Sequence, residues 1–263
     1  MTSLMILSYL GVGLVAGLSA GIFGVGGGII IVPALVWLLP QNDIPLEIVM
    51  HTAVATSLVV MIPTALSSSI KHMQQGNVQT ALLNRLGFGI FLGSIVGVFL
   101  ANALSRNYLQ SIFGVFELLV AYQMLTSRNL LIPRESAPVL RELPLIGVLI
   151  GGLSSLLGIG GGTMTVPYLN WRGINMRIAI GSSATCGLII AVVGAATFAL
   201  MNDSVQNTPA LVGYIYLPAA IMIAVTSVVS ARFGAVLSMR LPVPLLKRLF
   251  ALLLIVVALR MLL

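Results

Sequence analysis

Two stretches of this chain carry one uncommon arrangement of residues. Gly24, Gly26, Gly27, Gly28, Val32, Pro33 and Leu35 are matched by Gly158, Gly160, Gly161, Gly162, Val166, Pro167 and Leu169, giving GxGGGxxxVPxL twice at a constant offset of 134 residues. Four glycines within five positions weaken a helix by backbone entropy, and in hydrocarbon an interrupted helix leaves amides that lipid cannot satisfy. A break of this kind points bare N–H groups and the positive end of the following helix at whatever fills the gap, which favours an anion. The alternative use of glycine is close helix packing, the expected role of Gly13 and Gly17 and of Gly93 and Gly97. Pro33 and Pro167 lie five residues past the last glycine, where they either begin the next helix or kink one already begun.

Other polar side chains stand close enough in sequence to join such a site. Thr163 and Thr165 follow the second glycine cluster, whereas isoleucines follow the first, so the second half-site is the better candidate for direct contact with a substrate. Thr56 and Ser57, with His51 and Thr52 before them, and Ser182, Ser183 and Thr185 occupy similar places in the two halves. Their hydroxyls either bond an oxyanion or bond carbonyls of their own helix. Glu117 lies roughly 14 Å into an apolar run, near the middle of a bilayer, where a carboxyl either carries protons or makes a structural hydrogen bond. Arg85 reaches an anion or, as its depth favours, snorkels to the surface.

Several chemistries are excluded. His51 and His72 are separated and the single Cys186 has no partner, so no metal site is expected. Gly11, Gly13 and Ala16 fit a dinucleotide fingerprint by spacing, but no strand precedes them and no acidic residue follows at the required distance. Six acidic residues, all but Glu117 in or beside loops, assemble no nucleophile, base and orienting acid. Neither enzyme activity nor a cofactor is expected.

The elements that must position these residues are membrane helices. Of 263 residues 59% are hydrophobic and 7% charged, against about 25% charged in soluble domains. The net charge of +7 comes from thirteen Lys and Arg spread singly between apolar runs, which argues for topology signals rather than nucleic-acid binding. Runs near the length of about 20 residues that a bilayer requires fall at 46–70, 78–103, 108–126, 176–201, 209–231 and 245–262. Regions 4–39 and 143–171 are too long for one span and broken by the glycines, so each is expected to be a helical hairpin or discontinuous helix. Residues 1–22 lack the basic start of a cleavable signal and are expected to stay in the protein.

Basic residues at Lys71, at Arg128, Arg134 and Arg141, at Arg172 and Arg177, and at Arg240, Lys247 and Arg248 place those loops in the cytoplasm; the Asp43 and Asp203 loops go outside. Arg106 is the one exception. The chain then divides into a first transmembrane repeat, 1–133, and a second, 134–263, each with a hairpin and three spans and each facing the opposite way, an arrangement many secondary transporters use. Weaker echoes at Gly97 and Gly234, and at Ala121 to Met124 and Ala258 to Met261, support the duplication.

The doubled GxGGGxxxVPxL, one copy near the N-terminus and one just after the central basic loop, resembles the sulfite exporter TauE/SafE family over essentially the whole chain. That resemblance implies a multi-pass membrane protein moving sulfite, organosulfonates or related small anions. The expectation is an all-α integral membrane protein of two inverted repeats in a prokaryotic plasma or inner membrane. It would move a small anion by alternating access, with protons or another ion as coupling partner. A passive anion channel and a non-transporting scaffold are the alternatives.

Overall fold

Because a bilayer offers no partner for backbone groups, apolar runs of this length fold as helices. The computed structural model describes residues 3–23, 26–126, 142–201, 210–238 and 243–262. Gly24, Arg128, Arg134, Arg141, Asp203 and Arg240, and with them the expected boundary between residues 133 and 134, lie outside the described residues. The first half contains α1 (Ser3–Phe23), α2 (Gly28–Leu38) running into a 3-10 turn (Leu39–Asn42), α3 (Val49–Gln74), α4 (Thr80–Ala103) and α5 (Arg106–Thr126). The second contains α6 (Leu143–Leu157), α7 (Gly162–Trp171), α8 (Met176–Leu200), a two-stranded hairpin β1 (Leu211–Val212) and β2 (Ile215–Tyr216), α9 (Leu217–Ser238) and α10 (Val243–Leu262). Among the described residues six helices are long and apolar enough to cross a membrane. The protein is an all-α membrane fold.

The start of one span differs from the sequence reading. The run 209–231 does not start as helix: β1 and β2 pair antiparallel, Leu211 opposite Tyr216 and Val212 opposite Ile215. Ala210 and Gly213 adopt φ of 70° and 57°, which a right-handed helix cannot accommodate. Region 4–39 is a hairpin of unequal arms, since α1 alone has the length and apolarity of a span. Pro33 and Pro167 neither start α2 and α7 nor precede them; each is the sixth residue of its helix, where it withholds a donor from the carbonyl four residues earlier.

Both hairpins close at their open ends. Asn42, after α2, donates from Nδ2 to the Tyr9 hydroxyl of α1 at 2.7 Å, and Arg172, after α7, pairs with Glu142, before α6. The glycine breaks are therefore the hairpin tips.

The halves interlock rather than sit side by side. Helix α1 packs on α9 of the other half, and α6 packs on α4. A Cβ at Gly13 would lie 1.9 Å from Thr226 Oγ1 and 2.6 Å from the Ile223 carbonyl; its counterpart Gly147 would lie 2.4 Å from the Leu86 carbonyl and 3.0 Å from Gly89 Cα. Gly17 abuts Ser227 and Ser230, and Gly151 abuts Ile90 in the corresponding way. Gly97 meets Gly152 while Gly234 meets Leu18. The small residues at these crossings let backbones touch, as close-packed membrane helices require.

Helices that correspond between the halves pair with each other in antiparallel fashion. On α3 and α8, Leu58 meets Gly194 whereas Ser69 bonds Thr185 at 2.9 Å, so one helix ascends as the other descends. On α5 and α10, Gln110 donates to the Met261 carbonyl at 3.0 Å and Gly114 meets Ala258 and Leu262. The α3–α8 crossing is the centre of the molecule: from Val49 to Leu58 every residue of α3 is buried, the pattern of a helix enclosed on all sides.

Candidate functional site

The two glycine breaks touch. Gly26 has φ of +74°, and a Cβ there would lie 3.4 Å from Gly160 Cα. Gly28 opens α2 against the second break, where a Cβ would fall 2.3 Å from the Gly158 carbonyl oxygen and 3.0 Å from Ile159 Cα. Gly158 ends α6 in the left-handed conformation, φ +68°, with Val54 Cα 2.9 Å from where its Cβ would stand. Gly27 packs toward Ala16 and Ile31, and Gly161 toward Ile190. Gly26 and Gly160 hold the same place in the two copies of the motif.

The amino end of α7 is short of partners. Met164 and Thr165 donate to the Gly161 carbonyl at 3.2 and 2.8 Å. Among the described residues no acceptor lies within reach of the amides of Gly161, Gly162 and Thr163, which are the orphan donors every helix start presents. Thr163 turns its hydroxyl back to the Gly160 carbonyl at 3.3 Å. Thr165 is wholly buried, and among the described residues its Oγ1 has no hydrogen-bond partner; it stands 3.4 Å from the Cβ position of Gly161. An unpaired hydroxyl beside unpaired amides is a donor set suited to a small oxyanion.

The hydroxyls on α3 and α8 divide into different roles. Ser57 reaches the break, donating to the Gly158 carbonyl at 2.9 Å. Thr56 accepts the Tyr216 amide at 3.0 Å, and Ser182 accepts the Gln79 amide at 3.5 Å. These are comparable bonds, each fixing the turn that leads into the fourth helix of the opposite half. Ser183 is buried on α8. Thr185 bonds Ser69, away from the glycines. Of the sequence candidates, the structure gathers the described motif glycines, Thr163, Thr165 and Ser57 into one locus, and sets Thr56, Ser182 and Thr185 in bonds between elements.

Glu117 is wholly buried on α5, in register with Leu109, Phe113 and Ala121, and among the described residues neither carboxyl oxygen has a hydrogen-bond partner. Arg85 lies on the exposed face of α4, as snorkelling requires. Two contributors escaped the sequence reading. The Val54 backbone closes on Gly158, and Met61 Sδ lies 3.7 Å from the Cβ position of Gly26; both sit in an apolar run that differs in no visible way from its surroundings.

Space beside the breaks is limited. A crevice between Gly27, Ala16, Met61, Thr64 and Ser227 has a volume of about 10 Å³, room for about one water and no more. The breaks are closed on each other in this structure.

Comparisons with known proteins agree with this architecture. A protein of Haemophilus influenzae named a probable membrane transporter protein is 39% identical over 255 residues, covering 95% of each chain. One from Methanocaldococcus jannaschii with the same description is 27% identical over 230 residues, 85% of this chain and 82% of its own. Bacillus subtilis YunE, also a probable membrane transporter protein, is 29% identical over 177 residues, 60% of this chain and 64% of its own. No solved structure matches. The family model for sulfite exporter TauE/SafE matches residues 9–261, spanning both glycine breaks and every helix from α1 to α10: the chain is a multi-pass membrane protein that belongs to this transporter family.

Proposed function

We propose that this protein is a secondary transporter of a small anion, sulfite, an organosulfonate or a related sulfur-containing or organic anion, working by alternating access about the paired glycine breaks. The observation that carries this reading is the contact of Gly26 and Gly28 with Gly160 and Gly158 beside the unpaired donors of Gly161, Gly162, Thr163 and Thr165.

Depth supports it. The eleven residues of α2 and the ten of α7 rise about 16 and 15 Å, half of a hydrocarbon core about 30 Å thick. Hairpins entering from opposite faces would thus meet at the midplane. The antiparallel pairing of α3 with α8 and of α5 with α10 supports residues 1–133 and 134–263 as inverted repeats, since a two-fold axis that reverses helices standing across the bilayer lies in the membrane plane. The positive end of α7 and its free amides then face anionic substrate where water is scarce and electrostatic attraction strong.

The contact between breaks is an occluded arrangement, and the two bodies must separate for an anion to enter. Glu117 supplies the proton-coupling partner in this reading: its carboxyl meets no hydrogen-bond partner among the described residues and can exchange a proton as its surroundings open. The protein sits in a prokaryotic cell membrane, with the loop around Arg134 cytoplasmic and that around Asp43 outside; single cysteines at these positions should react with impermeant reagent from opposite sides.

Counterflow in proteoliposomes tests the function. A carrier accumulates labelled sulfite or sulfonate against its gradient when unlabelled anion is inside. Simple dissipation would identify a channel, and no flux with any of a panel of sulfur-containing anions would leave a scaffold; either outcome ends the proposal.

A further inference from the structure

The hairpin of β1 and β2 has two residue pairs in its ladder, Leu211 with Tyr216 and Val212 with Ile215, too few to hold a shape in isolation. Its place is set by what it grips. At its back it lies on the carboxyl end of α8, where the Tyr214 amide donates to the Phe198 carbonyl at 3.3 Å and a Cβ on Gly213 would fall 2.4 Å from that same oxygen. At its front two tyrosines cross to the first half of the chain. The Tyr214 hydroxyl donates to Asn102 Oδ1 on α4 at 2.9 Å, and its ring stacks on that of His51 on α3 with centroids 5.4 Å apart. The Tyr216 hydroxyl donates to Asn42 Oδ1 at 3.3 Å.

Asn42 turns that last bond into a clasp. Its Nδ2 donates to the Tyr9 hydroxyl at 2.7 Å and to the Leu38 carbonyl at 3.0 Å, so both ends of the amide are engaged. Tyr216, Asn42 and Tyr9 form one chain of bonds that runs from the β-hairpin, through the end of α2, to α1, and the rings of the two tyrosines, both buried, lie 6.4 Å apart. Helices α1 and α2 are the arms of the first glycine hairpin, with its break at their far end. A second route leads inward along α3: the Tyr216 amide donates to Thr56 Oγ1 at 3.0 Å, and the next residue, Ser57, donates to the Gly158 carbonyl at 2.9 Å. Arg172 and Glu142 close the other glycine hairpin within its own half, whereas this clasp joins the two halves.

We infer that the β1–β2 hairpin is a latch over the entrance to the glycine breaks from the face that carries Asp43. It ties both arms of the first glycine hairpin to the second half, and an anion reaches the breaks from that face only once Tyr216 leaves Asn42 and Thr56. This latch rests on the alternating-access reading and adds a gate to it. Elements that open in a working cycle come from the least stable parts of a fold, and a two-pair ladder held by side-chain bonds is such a part.

Labelling of Thr163→Cys in a Cys186→Ala background tests the latch, with an impermeant methanethiosulfonate applied separately to right-side-out and inside-out vesicles. Tyr9→Phe, Asn42→Ala and Tyr216→Phe each remove a link of the clasp. Each should raise the labelling rate about two- to tenfold, the worth of one hydrogen bond, and only from the side on which Asp43→Cys reacts. Unchanged rates in all three variants, or an equal rise from both sides, would overturn the latch. In a second arm a reducible bifunctional reagent joins Asn42→Cys to Tyr216→Cys; counterflow of labelled sulfite should stop and return on reduction. Full counterflow with the hairpin tied would also overturn the assignment. Wild-type protein without counterflow, in which the clasp variants still raise labelling from the Asp43 side, would support the latch while ending the carrier reading, so the two failures are distinguishable.

Discussion

Gly28 of the first hairpin and Gly158 of the second lie so close that a methyl group on Gly28 would sit 2.3 Å from the Gly158 carbonyl oxygen. The obstacle is backbone, so it cannot rotate aside. Gly28→Ala should therefore cost about 1–3 kcal/mol or more of stability, read as a lower melting temperature in detergent, and should abolish counterflow. Gly11→Ala, where nothing lies within 4 Å, should leave both unchanged or raise stability slightly.

Gly158 separates two reasons for a glycine. If its left-handed φ of +68° were the whole requirement, Asn would substitute with little loss. Val54 Cα, 2.9 Å from the Cβ position, forbids any side chain, so Gly158→Asn and Gly158→Ala should be equally destabilised in thermal unfolding. Near-wild-type behaviour of the Asn variant alone would mean that Val54 yields.

Thr165→Val removes a hydroxyl that bonds nothing among the described residues. Folding should be unaffected or improved, because no partner is orphaned. Loss of a hydrogen bond to a charged ligand, worth about 1.5–3 kcal/mol, should raise the KM for anion counterflow about 10- to 100-fold. An unchanged KM would remove Thr165 from the site.

Glu117→Gln keeps shape and polarity while abolishing titration. As a proton carrier, Glu117 makes the transport rate depend on pH; the Gln variant should fold normally and show a flat rate from about pH 5 to 8. A large fall in melting temperature with pH dependence retained would return Glu117 to a structural role.

How much of this was legible beforehand depends on what each feature needs from the chain. The helices, the duplication and the position of both breaks follow from apolar run length and from glycine spacing, which are local properties. The roles of Thr56 and Ser182 are not local: both hydroxyls accept amides from turns far along the chain, Tyr216 and Gln79, and a hydroxyl in a helix looks the same whether it faces a cavity or a turn. The small β-hairpin before α9 was hidden for a related reason, since Leu211 to Tyr216 are apolar enough to read as a span and only the backbone angles at Ala210 and Gly213 show otherwise.

The crosswise packing of α1 on α9 and of α6 on α4 has a consequence for how such a protein can be built or divided. Each half sends its leading helix into the other and receives one in return, so a severed half exposes both a stranded helix and an empty berth. Co-expressed fragments should reassemble, whereas one fragment alone has nothing to complete it. In the proposed alternating-access cycle the bodies that move apart would each draw helices from both ends of the chain, because a cut along the sequence midpoint runs through the close α1–α9 and α4–α6 joints.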